Sequence, residues 1–210
     1  IGRQLEKVTV PADAERILRE CSVTISREVQ SLKSLVDAFS QFARFPASHP
    51  APADLNGVVA EALSIFSGRL DGIDLRTELA PDLPQVNIDR EHFKRVVVNL
   101  VDNAAEAMQH SLVKRMCVAT SAPSPETVEL VIADTGCGVS PDEKEKLFLP
   151  YFSTKGRGTG LGLAIVNHIL LEHKATIRVE DNLPAGARFV VEVPSLVCSE
   201  TEPKTVEMRA

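Results

Sequence analysis

Apolar residues recur along this chain with two different periods, and the places where one period gives way to the other mark out its elements. Between Ala12 and Phe45 the positions Leu18, Cys21, Ile25, Leu32, Leu35, Phe39 and Phe42 follow an alternating three-four spacing, with Glu28 the one polar occupant, beside Val29. So narrow and continuous a stripe suits the seam of a coiled coil or four-helix bundle; a helix packed on its own domain is the other reading. Residues 1–10 read as the tail of an earlier helix, ended by Pro11. Pro46, Pro50 and Pro52 then crowd one short stretch, which predicts a semi-rigid linker over 47–53 and a domain boundary. Beyond it, Asp54 is placed to cap a helix carrying Val58, Val59, Ala62, Leu63 and Phe66, and Ile73 to Leu79 alternates as a half-buried strand does, before Pro81 and Pro84 turn the chain.

The longest helical pattern in the second half runs from an Asp89 cap to about Gln109, with Phe93, Val97, Leu100, Ala104 and Met108 at helical spacing. Strands over Met116–Ser121 and Thr127–Ala133 follow, the second delivering Asp134 at its end. Ser140-Pro141-Asp142-Glu143 has the form of a capping box with proline at the first helical position, so a short helix is predicted to about Phe148. A helix over Gly160–His173 and a hairpin of Thr176–Glu180 with Ala187–Val193 close the pattern, and the polar stretch 195–210 reads as disordered. The predicted class is α+β: a two-layer α/β sandwich over 54–194, preceded by a helical stem over 1–46.

Composition narrows the chemistry. A chain of 210 residues with 44% hydrophobic residues has room for one sizeable core and a smaller element. Its net charge of -6 supplies no basic field for nucleic acid or an anionic membrane, so a phosphate-bearing ligand has to be held by local backbone and a few cations. No apolar run reaches the roughly 18 residues of a membrane span. Cys21, Cys117, Cys137 and Cys198 are scattered without metal-ligand spacing and read as reduced thiols of a cytoplasmic protein. The chain opens on Ile1 in what reads as mid-helix, which points to a piece of something longer.

Candidate chemistry gathers between Asp134 and Gly162. Asp134-Thr135-Gly136-Cys137-Gly138 and Gly158-Thr159-Gly160-Leu161-Gly162 are loops whose backbone can approach a ligand closely, the second opening a helix, where free N–H groups attract anions. On the Asp89 helix, Asn99 and Asn103 lie one turn apart with Glu106 nearly in line, and together they offer hard oxygens to Mg2+. Each signal has a plainer reading: a solvated helix face, an Asx turn at Asp134, two surface cations at Lys155 and Arg157, a flexible glycine loop.

Taken in order, Asn99-Leu100-Val101-Asp102-Asn103-Ala104, Asp134-x-Gly136-x-Gly138, Pro150-Tyr151-Phe152-Ser153-Thr154-Lys155 and Gly158-x-Gly160-x-Gly162 resemble the N, G1, F and G2 boxes of sensor histidine kinases. Phe42-Ala43-Arg44 and Asp54-Leu55-Asn56 are similar, less specifically, to the nitrogen-regulation branch of that family. The resemblance covers about Ala12 to Pro194 and implies a Bergerat-type ATP-binding fold. In it Asp134 meets the adenine amine, and Asn103 holds Mg2+ with Asn99 nearby as a second metal candidate. Lys155, Arg157 and the turn of Gly158, Thr159, Gly160, Leu161 and Gly162 belong to a mobile lid over the phosphates, and Glu106, Gly136, Gly138, Tyr151 and Thr154 are further nucleotide-binding candidates.

The resemblance further implies that the stem is part of a dimerisation and phosphotransfer hairpin, that a response regulator receiver domain is the partner, and that residues 12–46 mediate a homodimer in the full protein. Nucleic acid is not an expected partner, and a membrane is expected only through parts outside this chain. Where the family often has His-Gly-Gly, this chain has His173-Lys174-Ala175, and a late Gly-x-Gly-Thr turn appears only as Gly186-Ala187-Arg188-Phe189. None of His49, His92, His110, His168 and His173 has the family's phosphoacceptor context, so the nucleophile is expected upstream of Ile1 and the chain is expected not to phosphorylate itself. His168 and His173 read as helix-surface or half-buried residues. An ATP-driven dimer clamp of the gyrase and chaperone type and a degenerate nucleotide-binding module are the alternatives.

Overall fold

The computed structural model describes residues 14, 16–27, 29, 47–153 and 159–196. The chain divides into two compact units between Pro46 and Ala47. In the first, residues 16–27 form helix α1, braced by an Arg16 to Glu20 ion pair at 3.0 Å, with Leu18, Cys21 and Ile25 all exposed. Leu32, Leu35, Phe39 and Phe42 of the predicted seam lie outside the described residues. Among the described residues no helix is long and apolar enough to cross a membrane.

The second unit runs β1 (Ala51–Ala53), α2 (Leu55–Ser64), β2 (Asp74–Leu79), β3 (Val86–Ile88), α3 (Arg90–Ala107), β4 (Arg115–Ser124), β5 (Thr127–Asp134), α4 (Pro141–Lys144), α5 (Gly162–Glu172), β6 (Thr176–Asp181) and β7 (Ala187–Pro194). Five strands form one sheet in the order β2-β4-β5-β7-β6, with β2 parallel to β4 and every other pair antiparallel. Helix α2 packs on α3 and α3 on α5, and the helical layer meets the sheet through β5 and β6. This is the α+β two-layer arrangement that the period change along the sequence predicts. Between the layers, Phe93, Val97, Leu100, Ala104 and Met108 of α3 and Val166, Ile169 and Leu170 of α5 are buried with Val118, Leu130, Ile132 and Val191 of the sheet. Each larger apolar side chain removed from water contributes roughly 1.5–3 kcal/mol, so this seam dominates the stability of the unit.

Local capping fixes where the helices start. Asp54 accepts from the N–H groups of Asn56 and Gly57, and Ser140 forms the full capping box with Glu143. Helix α4 stops at Lys144, short of the predicted Phe148, and continues as turns such as Leu149 N–H to the Lys146 carbonyl. Asp89 accepts from Glu91 and His92 through Oδ1 and from the His49 N–H through Oδ2, at 2.9 Å. Partial burial pushes its carboxyl pKa up, but the N–H groups of His49, His92 and Glu91 and the His92 ring together outweigh it and hold the carboxyl below its ordinary value. Asp89→Ala is expected to cost about 1–2 kcal/mol in urea unfolding. Because the folded value is the lower one, this contribution is whole above the ordinary value of 3.8 and is lost as pH falls through the folded value. A pH-stability profile whose acid limb is unchanged in the variant would contradict that role.

Two stretches are more ordered than their composition suggests. Within the proline-rich segment, Ala51–Ala53 pairs antiparallel with Val86–Ile88, and Pro52 is accommodated because this short ribbon leaves one side of β1 without a ladder to feed. After β7, Ser195 donates its N–H to the Glu126 carbonyl and Leu196 donates its N–H to that of Gln85, both at 2.8 Å; residues 197–210 lie outside the described residues. His173 also differs from its helix-surface or half-buried reading. It is buried at the C-terminus of α5, where Nδ1 donates to the Ile169 carbonyl at 2.7 Å and Nε2 accepts from the Asp89 N–H at 3.0 Å, with Ser48 Oγ 3.1 Å away. His168 remains partly exposed beside Glu172. Helical periodicity places both histidines on α5 but does not say that the N-terminus of α3 abuts its last turn.

Candidate functional site

Between α3, the loop after β5, the start of α5 and the β6–β7 turn lies a cleft of about 900 Å3. That is ample for a ligand of nucleotide size, since such pockets run to roughly 1,000 Å3. Asn99, Asn103 and Glu106 line it from α3, together with Asp102. The Asn99 side-chain Nδ2 donates to the Arg95 carbonyl at 2.8 Å, one turn back, which turns its Oδ1 toward the first residue of α5. A Cβ added at Gly162 would sit 3.0 Å from that oxygen and 4.0 Å from the Asn103 amide nitrogen. The two amides therefore converge on the N-terminus of α5.

That N-terminus is itself distinctive. Helices α2, α3 and α4 carry side-chain caps from Asp54, Asp89 and Ser140, whereas α5 begins after Leu161 with no side-chain cap. A helix start without a competing side chain presents its first N–H groups to an anion. Leu161 is buried beneath it, so its side chain anchors the turn rather than lining the cleft. Thr159 and Gly160 do line it. Gly160, at φ +65, lies so close to the Tyr151 backbone that a Cβ would come within 2.6 Å of the Tyr151 carbonyl carbon; Tyr151 donates its N–H to the Gly160 carbonyl at 2.9 Å.

Tyr151, at φ +67, is half exposed and not among the lining residues, which at this point are Phe152 and Ser153. Thr154, Lys155, Arg157 and Gly158 lie outside the described residues.

The far end is built around Asp134, which is only 1% exposed. Its Oδ1 accepts the Gly136 N–H at 2.7 Å and the Ala187 N–H at 3.4 Å. The Asx turn is present, and the carboxylate it holds also lines the cleft. Burying a carboxylate is costly unless hydrogen bonds compensate it, and here the Gly136 and Ala187 N–H groups do so. Gly136 serves the turn and is not among the lining residues, whereas Gly138 lines the cleft opposite Gly186. Val139, Leu147, Leu163 and Phe189 supply apolar walls suited to a planar ring.

Five carboxylates reach the lining, from Asp102, Glu106, Asp134, Glu143 and Asp181, and no lysine, arginine or histidine does so among the described residues. Burial, helped by the neighbouring Glu106, raises the Asp102 pKa against the opposing charge of Arg69. Lys144 meets Asp181 at 2.7 Å and ties α4 to the β6–β7 turn. A polyanion entering such a cleft requires cations that the described lining does not supply.

Residues Asp181 to Ala187, in the β6–β7 turn, form one wall of the cleft. The motif comparison reaches only its end, at Gly186; Asp181, Asn182, Leu183 and Pro184 are not among the sequence candidates, because Asn182 and Pro184 signal a turn and nothing more.

Comparison with known proteins places residues 88–196 within the model of the "Histidine kinase-, DNA gyrase B-, and HSP90-like ATPase" family. The signal transduction histidine-protein kinase AtoS of Escherichia coli (strain K12) is 31% identical over 183 residues, 86% of this chain and 30% of AtoS. This chain therefore spans less than a third of that relative. Among solved structures, the mycobacterial sensor histidine kinase MprB matches with a TM-score of 0.63 and 31% identity, over 70% of this chain and 98% of that one. Full-length ShkA, solved in complex with AMPPNP, matches with a TM-score of 0.69 and 28% identity, over 92% of this chain and 41% of its own.

Proposed function

The chain belongs to the histidine kinase-, DNA gyrase B- and HSP90-like ATPase family, and from that premise we propose that it is the ATP-binding catalytic part of a two-component sensor histidine kinase. The observation that carries the reading is the placement of the buried Asp134 carboxylate and the converging Asn99 and Asn103 amides in one cleft that an uncapped helix start also faces. Asp134 accepts a hydrogen bond from the exocyclic amine of adenine, and Val139, Leu147, Leu163 and Phe189 flank the ring. The N–H groups at the start of α5 face the phosphates. Lys155 and Arg157 are the chain's cations for those phosphates.

Magnesium fits this donor set: Asn99 Oδ1 is released toward α5 by the bond that its Nδ2 makes, and amide oxygens suit a hard cation that keeps several waters. Asn99 and Asn103 would hold it, with Glu106 close by. The bound ion would offset phosphate charge in a cleft lined by carboxylates. The chain's own contribution is positioning and charge neutralisation, which is most of what phosphoryl transfer requires. The γ-phosphorus to bridging-oxygen bond breaks as a histidine nitrogen bonds to phosphorus, leaving ADP; a response regulator aspartate then takes the phosphoryl group. In this reading residues 12–46 belong to the dimerising hairpin, and the transfer takes place in the cytoplasm.

None of this chain's five histidines has the acceptor's sequence context. With γ-labelled ATP and magnesium, the chain is expected to bind nucleotide yet retain no label, while a version extended upstream through the hairpin is expected to take label and pass it to a receiver domain. Stable label on the present chain would overturn the assignment of the acceptor. Steady release of free phosphate with no phosphohistidine in the extended version would favour the clamp ATPase instead.

A further inference from the structure

We propose that Asn182, in the β6–β7 turn, is a positioning residue for base recognition: it fixes the peptide of Asp134 and thereby the direction in which the carboxylate meets an amine. The inference rests on the reading of Asp134 as the partner of the adenine amine. The β5–β7 ladder ends at Ala133, opposite Arg188, so Asp134 lies one residue past the last rung on that side. A carbonyl at the end of a ladder needs a partner, and here Asn182 supplies it: Nδ2 donates to the Asp134 carbonyl at 2.7 Å.

The turn is closed on itself, since the Asn182 N–H donates to the Gly186 carbonyl at 3.1 Å. It is also pressed against its target, since a Cβ at Gly186 would come within 1.9 Å of the Asp134 carbonyl oxygen. One residue later the Ala187 N–H reaches the Asp134 carboxylate. Asp134 is thus held at both ends by one short turn, at the carbonyl by Asn182 and at the carboxylate by Ala187. On its other flank the turn is anchored to α4 by the ion pair of Lys144 with Asp181. Asn182 bridges the turn to the strand end; without it the Asp134–Thr135 peptide keeps only the Thr135 N–H bond to the Arg115 carbonyl, at 3.1 Å, and can tilt about that bond without emptying the core.

The distinguishing consequence is selectivity. A contact between Asp134 and an amine separates adenine from hypoxanthine, which carries a carbonyl at the same ring position. Loss of aim at Asp134 therefore weakens ADP more than inosine diphosphate. Calorimetric titration of the whole chain with each of these nucleotides in magnesium buffer tests this. Asn182→Ala is expected to weaken ADP by about fivefold to tenfold and inosine diphosphate by less than about twofold. Asn182→Asp, close in shape but without the donor, is expected to lower the ratio likewise and serves if the alanine variant folds poorly. Leu112→Ala, at a fully exposed residue outside the cleft lining, should leave the ratio unchanged. Equal losses for both nucleotides at Asn182, no loss at all, or an equal drop in the ratio for Leu112→Ala would overturn the proposal. If the unaltered chain shows no preference for ADP over inosine diphosphate, the Asp134 reading itself fails and takes this one with it.

Discussion

Asp134→Asn is expected to weaken ATP or ADP binding by about tenfold or more, while leaving the nucleotide-free protein folded. The substitution keeps an oxygen where Oδ1 now accepts the Gly136 and Ala187 N–H groups, so the turn that shapes the base end survives. What is lost is the second carboxylate oxygen, replaced by an N–H2 group that would face the amine of adenine donor to donor. A hydrogen bond to a charged group is worth roughly 1.5–3 kcal/mol, and each 1.4 kcal/mol is a factor of ten in affinity. Calorimetry should therefore show the loss, and thermal unfolding of the free protein should shift little. Equal affinity for the variant and the parent would remove the adenine role from Asp134 and with it the main support for a nucleotide cleft.

Gly186→Ala is expected to do damage of a different kind. Gly186 has φ +112, where a side chain is strained whatever space it has, and here there is none, because the added carbon would overlap the Asp134 carbonyl oxygen at 1.9 Å. Backbone strain and overpacking together should cost on the order of 3–5 kcal/mol. The turn has to move away from β5, which breaks the Asn182 to Asp134 bond and pulls the Ala187 N–H from the carboxylate. Stability in urea and nucleotide affinity should consequently fall together, unlike Asp134→Asn, where they separate. A loss of stability below about 1 kcal/mol would show that the turn yields easily and is no rigid support for Asp134.

Much of the site is legible along the chain because its parts are local. Asn99 and Asn103 share a face through helix geometry, Asp89 and Ser140 announce helix starts by their own side chains, and the end of an alternating apolar run marks where β5 releases Asp134. The resemblance to histidine kinase boxes works for the same reason, since each box is a contiguous stretch around one loop or helix end. Where those signals fall silent, the expectations drift: prolines obscure the strand Ala51–Ala53, and α4 runs out after one turn because its later residues have turn rather than helical partners.

Taken alone, the order of residues determines the helices, the strand that ends in Asp134, the glycine turns and the family to which the cleft belongs, all of which rest on interactions within a few residues. Tertiary structure alone decided that His173 lies buried against the N–H of Asp89, 84 residues away in sequence. It also decided that Asn182 holds the carbonyl of Asp134 across 48 residues, and that Gly186 has to be glycine because a strand end presses on it. The third is a matter of steric contact between distant segments, and the first two share a reason in hydrogen bonding. A buried polar group is satisfied by whatever partner the folded chain brings within about 3 Å, and no local pattern records which distant residue that will be.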